Sequence, residues 1–195
     1  MDIKSFKQEL LNELYEPYQN CTMCPLGTLG RENVVFGEGN PDAALIFVGE
    51  GPGAEEDAQN RPFVGRSGKL LTKTLSHIGL KREEVFITNI VKCRPPGNRT
   101  PTTLESNTCK EILLFKQIKI IRPLVICTLG SAAIQGLIDK PIKITKTRGN
   151  VLIWNNISVV PAYHPAYILR NPSEQPIFIS DIKLAAELSA QKTPH

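Results

Sequence analysis

The order of apolar and polar positions along the chain predicts strands that alternate with helices. Short apolar runs of strand length are bounded by turn residues, and longer stretches carry apolar residues at helical spacing. The predicted strands cover residues 44–48, 85–88, 124–128, 151–153 and 157–161, and the predicted helices cover 3–16, 67–78, 103–120, 131–137 and 180–189.

This alternation predicts an α/β sandwich built around a mainly parallel sheet. In such sheets, ligands bind beyond the carboxyl ends of the strands. The string GEGPG follows the first of these strands, Asn89 follows the second, and His164 follows the last. We therefore expect these three segments to meet at one edge of the sheet.

Composition narrows the class of protein. The chain has 195 residues, 41% hydrophobic and 22% charged, which suits one globular domain spanning residues 1–195. No apolar run reaches the length of a membrane span, and the N-terminus has no signal-peptide core. We expect a soluble, intracellular, cytoplasmic protein.

The net charge of +4 is modest, but the charges are segregated. Residues 61–99 carry nine Lys or Arg against two acids, Glu83 and Glu84. This distribution is compatible with a basic face toward nucleic-acid phosphates, and equally with ordinary solvated surface charge.

The five cysteines form an odd number in a chain without an export signal, so metal binding or burial is favoured over disulfides. Cys21 and Cys24 form a CxxC motif in a loop, and fifteen residues separate Cys93 from Cys109. Four thiolates suit a zinc ion or a [4Fe–4S] cluster equally well. Cys127 lies in the apolar run LVICTLG, where we expect it in the core.

Four strings occur in order along the chain: GEGPGAEED, RPFVGRSGKLL, TNIVKCRPP and HPAYILRNP. Together with the cysteines, they resemble the family 4 uracil-DNA glycosylases over roughly residues 18–190. The resemblance implies a three-layer α/β/α glycosylase fold and a [4Fe–4S] cluster of structural role, held by Cys21, Cys24, Cys93 and Cys109. It also implies hydrolysis of the N-glycosidic bond of deoxyuridine, which releases uracil and leaves an abasic site. The expected partner is uracil-containing DNA, double- or single-stranded, and the expected state is a monomer.

The same strings offer the groups that excision of a flipped base requires. Phe63 suits stacking on uracil, although an aromatic residue can equally belong to the core. The amide of Asn89 can match uracil N3–H and O4 together, whereas cytosine presents the opposite pattern. The structural alternative for Asn89 is a turn cap at the end of a strand.

His164 suits stabilisation of the leaving group. Breaking the glycosidic bond leaves negative charge on uracil O2, and a donor aimed at that oxygen stabilises the transition state. His195 is terminal and His77 lies on a predicted helix, whereas His164 follows a strand in PAYHPAY. We therefore select His164 over the other two histidines.

The GEGPG turn supplies further candidates. Glu50 is expected to stabilise the positive charge on the sugar or to position water. Gly51 stands where the family 1 enzymes have an Asp that helps to activate water, as the family 4 resemblance implies. Glu56 resembles the family residue that crowds uracil C5 and excludes the thymine methyl. The alternative for Glu56 is a favourable acid at a helix N-terminus.

The stretch 166–170 resembles the family's intercalation loop. Ile168 or Leu169 would fill the gap left by the flipped base, and Arg170 would meet phosphate. The alternative is that Ile168 and Leu169 open a helix and pack on the core. The loop after Cys93 contains no His, unlike a related subgroup that traps the sugar covalently, so we expect ordinary turnover.

Two weaker hypotheses remain from the sequence. Gln8, Leu11, Leu14 and Tyr15 match the spacing of a sliding-clamp binding motif, although packing of Leu11 and Leu14 on the core explains the spacing as well. The competing function is a non-catalytic, metal-stapled DNA-binding module, which would not require Asn89 or His164.

Overall fold

A computed structural model describes residues 2–191. A π-helical turn, Lys110–Leu114, joins the fourth and fifth helices into one continuous helical segment. The helices are α1 (Ile3–Tyr15), α2 (Ala54–Gln59), α3 (Arg66–His77), α4 (Thr103–Cys109), α5 (Phe115–Ile121), α6 (Ser131–Ile138), α7 (Ile144–Thr147), α8 (Pro165–Arg170) and α9 (Gln175–Gln191). The strands are β1 (Glu38–Gly39), β2 (Leu45–Gly49), β3 (Phe86–Asn89), β4 (Val125–Leu129), β5 (Leu152–Trp154) and β6 (Ile157–Ala162).

The strands of the described residues form one sheet in the order β1-β3-β2-β4-β6-β5. The four central strands are parallel, and the short edge strands β1 and β5 pair antiparallel with β3 and β6. The predicted mainly parallel sheet is confirmed. Its central strands are buried on both faces, as parallel sheets are, which explains why they appear as continuous apolar runs in the sequence.

Alternate residues of β2 define the two layers of the core. Ile46 and Val48 face a cluster that includes residues of α1, α4, α5 and α6. Leu45 and Phe47 face a second cluster, which includes residues of α3, α8 and α9. The period of two along a strand places helices on both sides of the sheet. The three-layer α/β/α sandwich is therefore confirmed.

One local prediction differs from the structure, and the N-terminal helix fits one of two open alternatives. The stretch 166–170 is not a loop, because Pro165–Arg170 forms the helix α8 with Pro at its first turn. Leu11 is 1% exposed and the hydroxyl of Tyr15 donates to the carbonyl of Val34. The N-terminal helix α1 therefore packs on the core, as the alternative to the clamp motif predicts.

No helix of the described residues 2–191 is long and apolar enough to cross a membrane.

Candidate active site

A pocket of about 670 Å³ opens at the carboxyl ends of the parallel strands. Glu50 follows β2, Asn89 ends β3, and His164 lies between β6 and α8. The predicted residues in its lining are Glu50, Gly51, Glu56, Phe63, Asn89, His164 and Arg170, and the further ones are Pro52, Gly53, Ala54, Glu55, Gly65, Arg66, Ser67, Pro95, Asn98, Arg99, Thr100, Ala166 and Tyr167. The topology therefore brings together segments that are more than a hundred residues apart in sequence.

Asn89 lies at the base of this pocket and is 1% exposed. Its Oδ1 is buried and has no hydrogen-bond partner among the described residues. A buried acceptor without a partner costs about 1–3 kcal/mol, so folded proteins rarely retain one without a function. This oxygen is free to accept a hydrogen bond from a ligand.

Close packing shapes the pocket around Asn89 and Phe63. A Cβ atom on Gly49 would stand 2.4 Å from Asn89 Oδ1 and 2.5 Å from Phe63 Cζ. A Cβ atom on Gly68 would overlap the carbonyl carbon and oxygen of Phe63. Phe63 itself has a positive φ of 50°. Glycine is thus required on both sides of Phe63, and the sequence analysis missed both positions.

Phe63 and His164 both line the pocket, with ring centroids 5.9 Å apart and an angle of 35° between ring planes. Phe63 is 6% exposed and also belongs to the core cluster beneath α3, so the core alternative holds for part of its surface. One ring thus lies both in the core and in the pocket wall.

The imidazole of His164 is held by the helix that follows it. His164 is the N-cap of α8, and its Nδ1 accepts the backbone N–H of Ala166. Burial, with a smaller contribution from the nearby Arg170, lowers the pKa of His164 to about 4, and Glu56 opposes the shift. His164 is therefore neutral at pH 7, and its proton resides on Nε2.

Glu56 joins the two turns that bound the pocket. Its Oε1 accepts the backbone N–H groups of Val64 and Gly65, at 2.9 and 2.8 Å, and its Oε2 accepts that of Gly53 at 3.2 Å. The position of Glu56 in the first turn of α2 fits the helix-terminus alternative. Val64 and Gly65 lie beyond Phe63, so the hydrogen bonds of Glu56 also connect the loop at Gly53 to the loop at Val64.

Glu50, another acid of the pocket lining, is half-buried. Burial raises the pKa of Glu50, and a hydrogen bond with Thr100 opposes that rise. Thr100 comes from the Pro- and Gly-rich loop after Cys93. Thr100 is not among the site residues predicted from the sequence, because a lone Thr in a loop carries no distinguishing signal.

Helix α8 separates the two wedge candidates. Ile168 is 2% exposed and packs in the core cluster beneath α9, which fits the core-packing alternative for this residue. Leu169 is 37% exposed and Arg170 is exposed, both at the end of the helix. Successive residues of a helix point in different directions, which is why adjacent positions have opposite environments.

The four predicted cysteine ligands come from two parts of the chain. Cys93 and Cys109 are 5% and 6% exposed, Cys21 and Cys24 are half-buried, and none forms a disulfide. Burial raises the pKa of Cys93 to about 12 and that of Cys109 to about 11, and the other thiols of the group contribute to both shifts. The four thiols are thus electrostatic neighbours.

Across the described part of the chain, no group of three or more His, Cys, Asp or Glu side chains is arranged so that it could hold a metal ion. Cys127 is fully buried in β4, where the sequence placed it.

A buried lysine lies between the cysteines and Asn89. Lys92 is 0% exposed, and its Nζ donates to the carbonyl of Asn89 at 2.8 Å and to Gln117 Oε1 at 2.7 Å. Its backbone N–H donates to Cys109 Sγ at 3.3 Å. Burial lowers the pKa of Lys92 to about 7. The sequence carried no signal for this role, since lysine is almost never fully buried.

Comparison with known proteins gives consistent matches. A family model described as the uracil DNA glycosylase superfamily matches residues 36–185. The chain is 50% identical to the type-4 uracil-DNA glycosylase of Thermotoga maritima over 183 residues, which are 92% of this chain and 94% of that protein. It is 44% identical to the type-4 uracil-DNA glycosylase of Sulfurisphaera tokodaii over 188 residues, covering 92% and 84% of the two chains. It is 41% identical to that of Archaeoglobus fulgidus over 194 residues, covering 95% and 96%.

Proposed function

Because this chain belongs to the uracil DNA glycosylase superfamily, we propose that it excises uracil from DNA through the pocket at the strand ends. It is a DNA-repair enzyme that hydrolyses the bond between uracil and deoxyribose. The observation that carries the assignment of the pocket is the buried, unpartnered Oδ1 of Asn89 at its base. A base in a duplex is inaccessible, so the nucleotide has to rotate out of the stack to reach this atom.

Asn89 is the residue that reads the base. Its Oδ1 accepts uracil N3–H, and its amide N–H is then directed at O4. Cytosine offers an acceptor at N3 and a donor at the exocyclic nitrogen, so it would leave the buried amide mismatched. Discrimination follows from the free-energy cost of that mismatch. Lys92 supports this reading, because it holds the backbone carbonyl of Asn89 from behind.

His164 stabilises the departing base. When the bond between C1′ and N1 breaks, its electron pair moves to uracil and charge accumulates on O2. The Nε2–H of the neutral imidazole donates to that oxygen, while Nδ1 stays bound to Ala166. A donor held in place before the reaction needs no reorganisation when the charge develops.

The sugar side of the reaction is assigned to Glu50 and Gly51. The sugar becomes positively charged at C1′ as uracil leaves, and water adds to that carbon to complete hydrolysis. Glu50, hydrogen-bonded to Thr100, stabilises this charge or orients the water. Gly51 lines the pocket beside Glu50, and a Cβ atom there would stand 2.7 Å from Val91 Cγ2, so the close packing of this turn requires glycine.

DNA is the substrate, and α8 is the proposed contact with it. The exposed Leu169 enters the space left by the rotated base, and Arg170 meets a phosphate. The pocket is complete within one chain, which supports activity as a monomer. We do not propose clamp binding through Gln8, Leu11, Leu14 and Tyr15, because Leu11 and Tyr15 are engaged in the core.

The cysteines are proposed to hold a [4Fe–4S] cluster of structural role. Four thiols without disulfides, two of them buried and two half-buried, whose charges act on one another, fit an all-thiolate donor set. When bound, the cluster would tie Cys21 and Cys24 to the loop of Cys93 and to Cys109 on α4. It would thereby fix the segment that carries Thr100 to the pocket.

The test is cleavage of labelled oligonucleotides that contain one uracil, followed by alkali to break abasic sites. U·G, U·A and single-stranded uracil are compared with T·G and C·G. We expect cleavage of the uracil strands alone. Intact uracil strands in the presence of cluster-loaded protein that still binds DNA would support the non-catalytic alternative.

A further inference from the structure

Arg31 reaches back toward the cysteines from the segment that follows the CxxC loop. Its Nη2 donates to the backbone carbonyl of Cys21 at 2.9 Å. Its positive charge also acts on Cys93, where it opposes the effect of burial on the thiol. Arg31 is therefore hydrogen-bonded to the N-terminal loop of the cysteine group, and its charge also acts on the loop after β3.

The guanidinium has one further donor without a partner. Arg31 Nε is buried and makes no hydrogen bond with any residue in the range 2–191. Buried donors of native proteins are almost always paired, and a charged group makes the loss larger. An unpaired guanidinium N–H on a residue that binds Cys21 and acts electrostatically on Cys93 indicates an acceptor that belongs to a ligand of the cysteines.

Charge balance points in the same direction. Four thiolates around a [4Fe–4S] core leave an anion, and a buried anion requires a nearby cation. Three other cations adjoin these cysteines in sequence, and their side chains are directed elsewhere. Lys92 Nζ donates to Thr88, Asn89 and Gln117. Lys110 Nζ donates to Gly136 and Asp139, and Arg94 Nε donates to Asn98. Within residues 2–191, Arg31 is the cation near the cysteines that keeps a buried guanidinium donor, Nε, without a partner.

We infer that Arg31 is a positioning residue for the iron–sulfur cluster, compensating its charge and donating its free Nε–H to a cluster sulfur. This inference rests on the cluster assignment in the proposed function. Hydrogen bonds to the sulfurs and local charge tune the reduction potential of such clusters. Removal of the cation makes the addition of an electron less favourable, so the reduction potential shifts to a more negative value.

The experiment compares the full chain, purified without oxygen, as wild type, Arg31→Met, Arg31→Lys and the control Arg122→Met. Arg122 is an exposed arginine at the end of α5, outside the cysteine group. Iron and sulfide content, the decay of absorbance near 400 nm in air, the reduction potential and uracil excision are measured on each protein. Thermal unfolding identifies any variant that fails to fold.

We expect Arg31→Met to lose its cluster about 10- to 100-fold faster than wild type, with a more negative potential. Arg31→Lys should have a reduction potential close to that of wild type, since the positive charge remains. It should lose the cluster faster than wild type, because lysine lacks the planar guanidinium group. Arg122→Met should match wild type. Equal decay rates and potentials in wild type and both Arg31 variants would overturn the inference.

Two outcomes separate this inference from the proposed function. A brown wild-type protein that does not excise uracil would contradict the proposed function and leave the role of Arg31 to be decided by the variants. A colourless wild-type protein that contains zinc would overturn both the cluster assignment and this inference, while uracil excision stood independently.

Discussion

The Nδ1 atom of His164 lies 3.1 Å from the backbone nitrogen of Ala166 and accepts its hydrogen. One contact thus caps α8 and fixes which ring nitrogen carries the proton. Because a neutral imidazole has one acceptor and one donor, the donor is Nε2. The fold therefore prepares His164 as a neutral donor before any substrate arrives.

Replacement of His164 by Ala should lower the single-turnover rate of uracil excision by about 100- to 1000-fold, because a donor to the developing charge on O2 is lost. His77→Ala is the matched control, since His77 is an exposed histidine at the end of α3. A His164→Ala protein that folds normally and retains most of its rate would exclude the leaving-group role.

The pH dependence of this effect follows from the lowered pKa of His164, which burial brings to about 4. The group stays neutral from pH 8 down to about pH 5, so the ratio of wild-type to His164→Ala rates should remain constant over that range. Below about pH 4 protonation of Nδ1 breaks the contact with Ala166, and the ratio should fall. A ratio that changes near pH 6.5, the ordinary value for histidine, would contradict the neutral assignment.

Asn89→Asp should lower uracil excision by about 10- to 100-fold, because the carboxylate cannot donate to uracil O4. Its rate on cytosine relative to uracil should rise, since the exocyclic amine of cytosine finds an acceptor. Measurement of both substrates in the same single-stranded sequence gives the ratio directly. Asn98→Asp, a change in the loop at the rim of the pocket, is the control for added charge. Unchanged selectivity in Asn89→Asp would show that another group reads the base.

Much of this architecture is predictable from the sequence, because the central strands are buried on both faces. Their residues form uninterrupted apolar runs ending in GEGPG, Asn89 and the His164 segment, and the rule for parallel sheets then fixes where these ends meet. The meeting point of these strand ends can be predicted without knowledge of side-chain contacts. This explains why the convergence of Glu50, Asn89 and His164 could be predicted along with the fold.

Features that depend on tertiary partners could not be predicted in the same way. Helix α8 has only six residues, too few for a periodic pattern, although the order His164-Pro165 matches an N-cap followed by Pro at the first helical position. The partners of Glu56 lie beyond Phe63 in the next turn, so its sequence position indicates only a helix terminus. The burial of Lys92 depends on Gln117, which follows it by 25 residues.

Glu56→Ala should reduce stability by about 2–3 kcal/mol and lower uracil excision, because three backbone N–H groups lose their charged acceptor. Glu56→Gln keeps the volume and one acceptor oxygen, so its losses should be smaller. Chemical denaturation and single-turnover rates on U·G and T·G substrates measure both effects. We expect no cleavage of T·G by either variant. Cleavage of T·G by Glu56→Ala, with uracil excision preserved, would favour crowding of C5 as the main role.

The adjacent residues Ile168 and Leu169 provide a matched pair for the proposed contact with DNA. Ile168 is 2% exposed, so Ile168→Ala should destabilise the fold by about 2–5 kcal/mol through the cavity that it leaves. Leu169 is 37% exposed, so Leu169→Ala should change stability by no more than about 0.5 kcal/mol.

Ile168→Ala and Leu169→Ala should also differ in their effects on uracil excision. A wedge is needed only where a base has to leave a duplex, so Leu169→Ala should lower excision from U·A and U·G while single-stranded uracil is cut at nearly the wild-type rate. Ile168→Ala, measured well below its unfolding temperature, should change the excision rates on duplex and single-stranded DNA by the same factor. Equal losses on duplex and single-stranded DNA for Leu169→Ala would place the wedge elsewhere on the rim of the pocket, because a residue that only binds phosphate acts on both substrates.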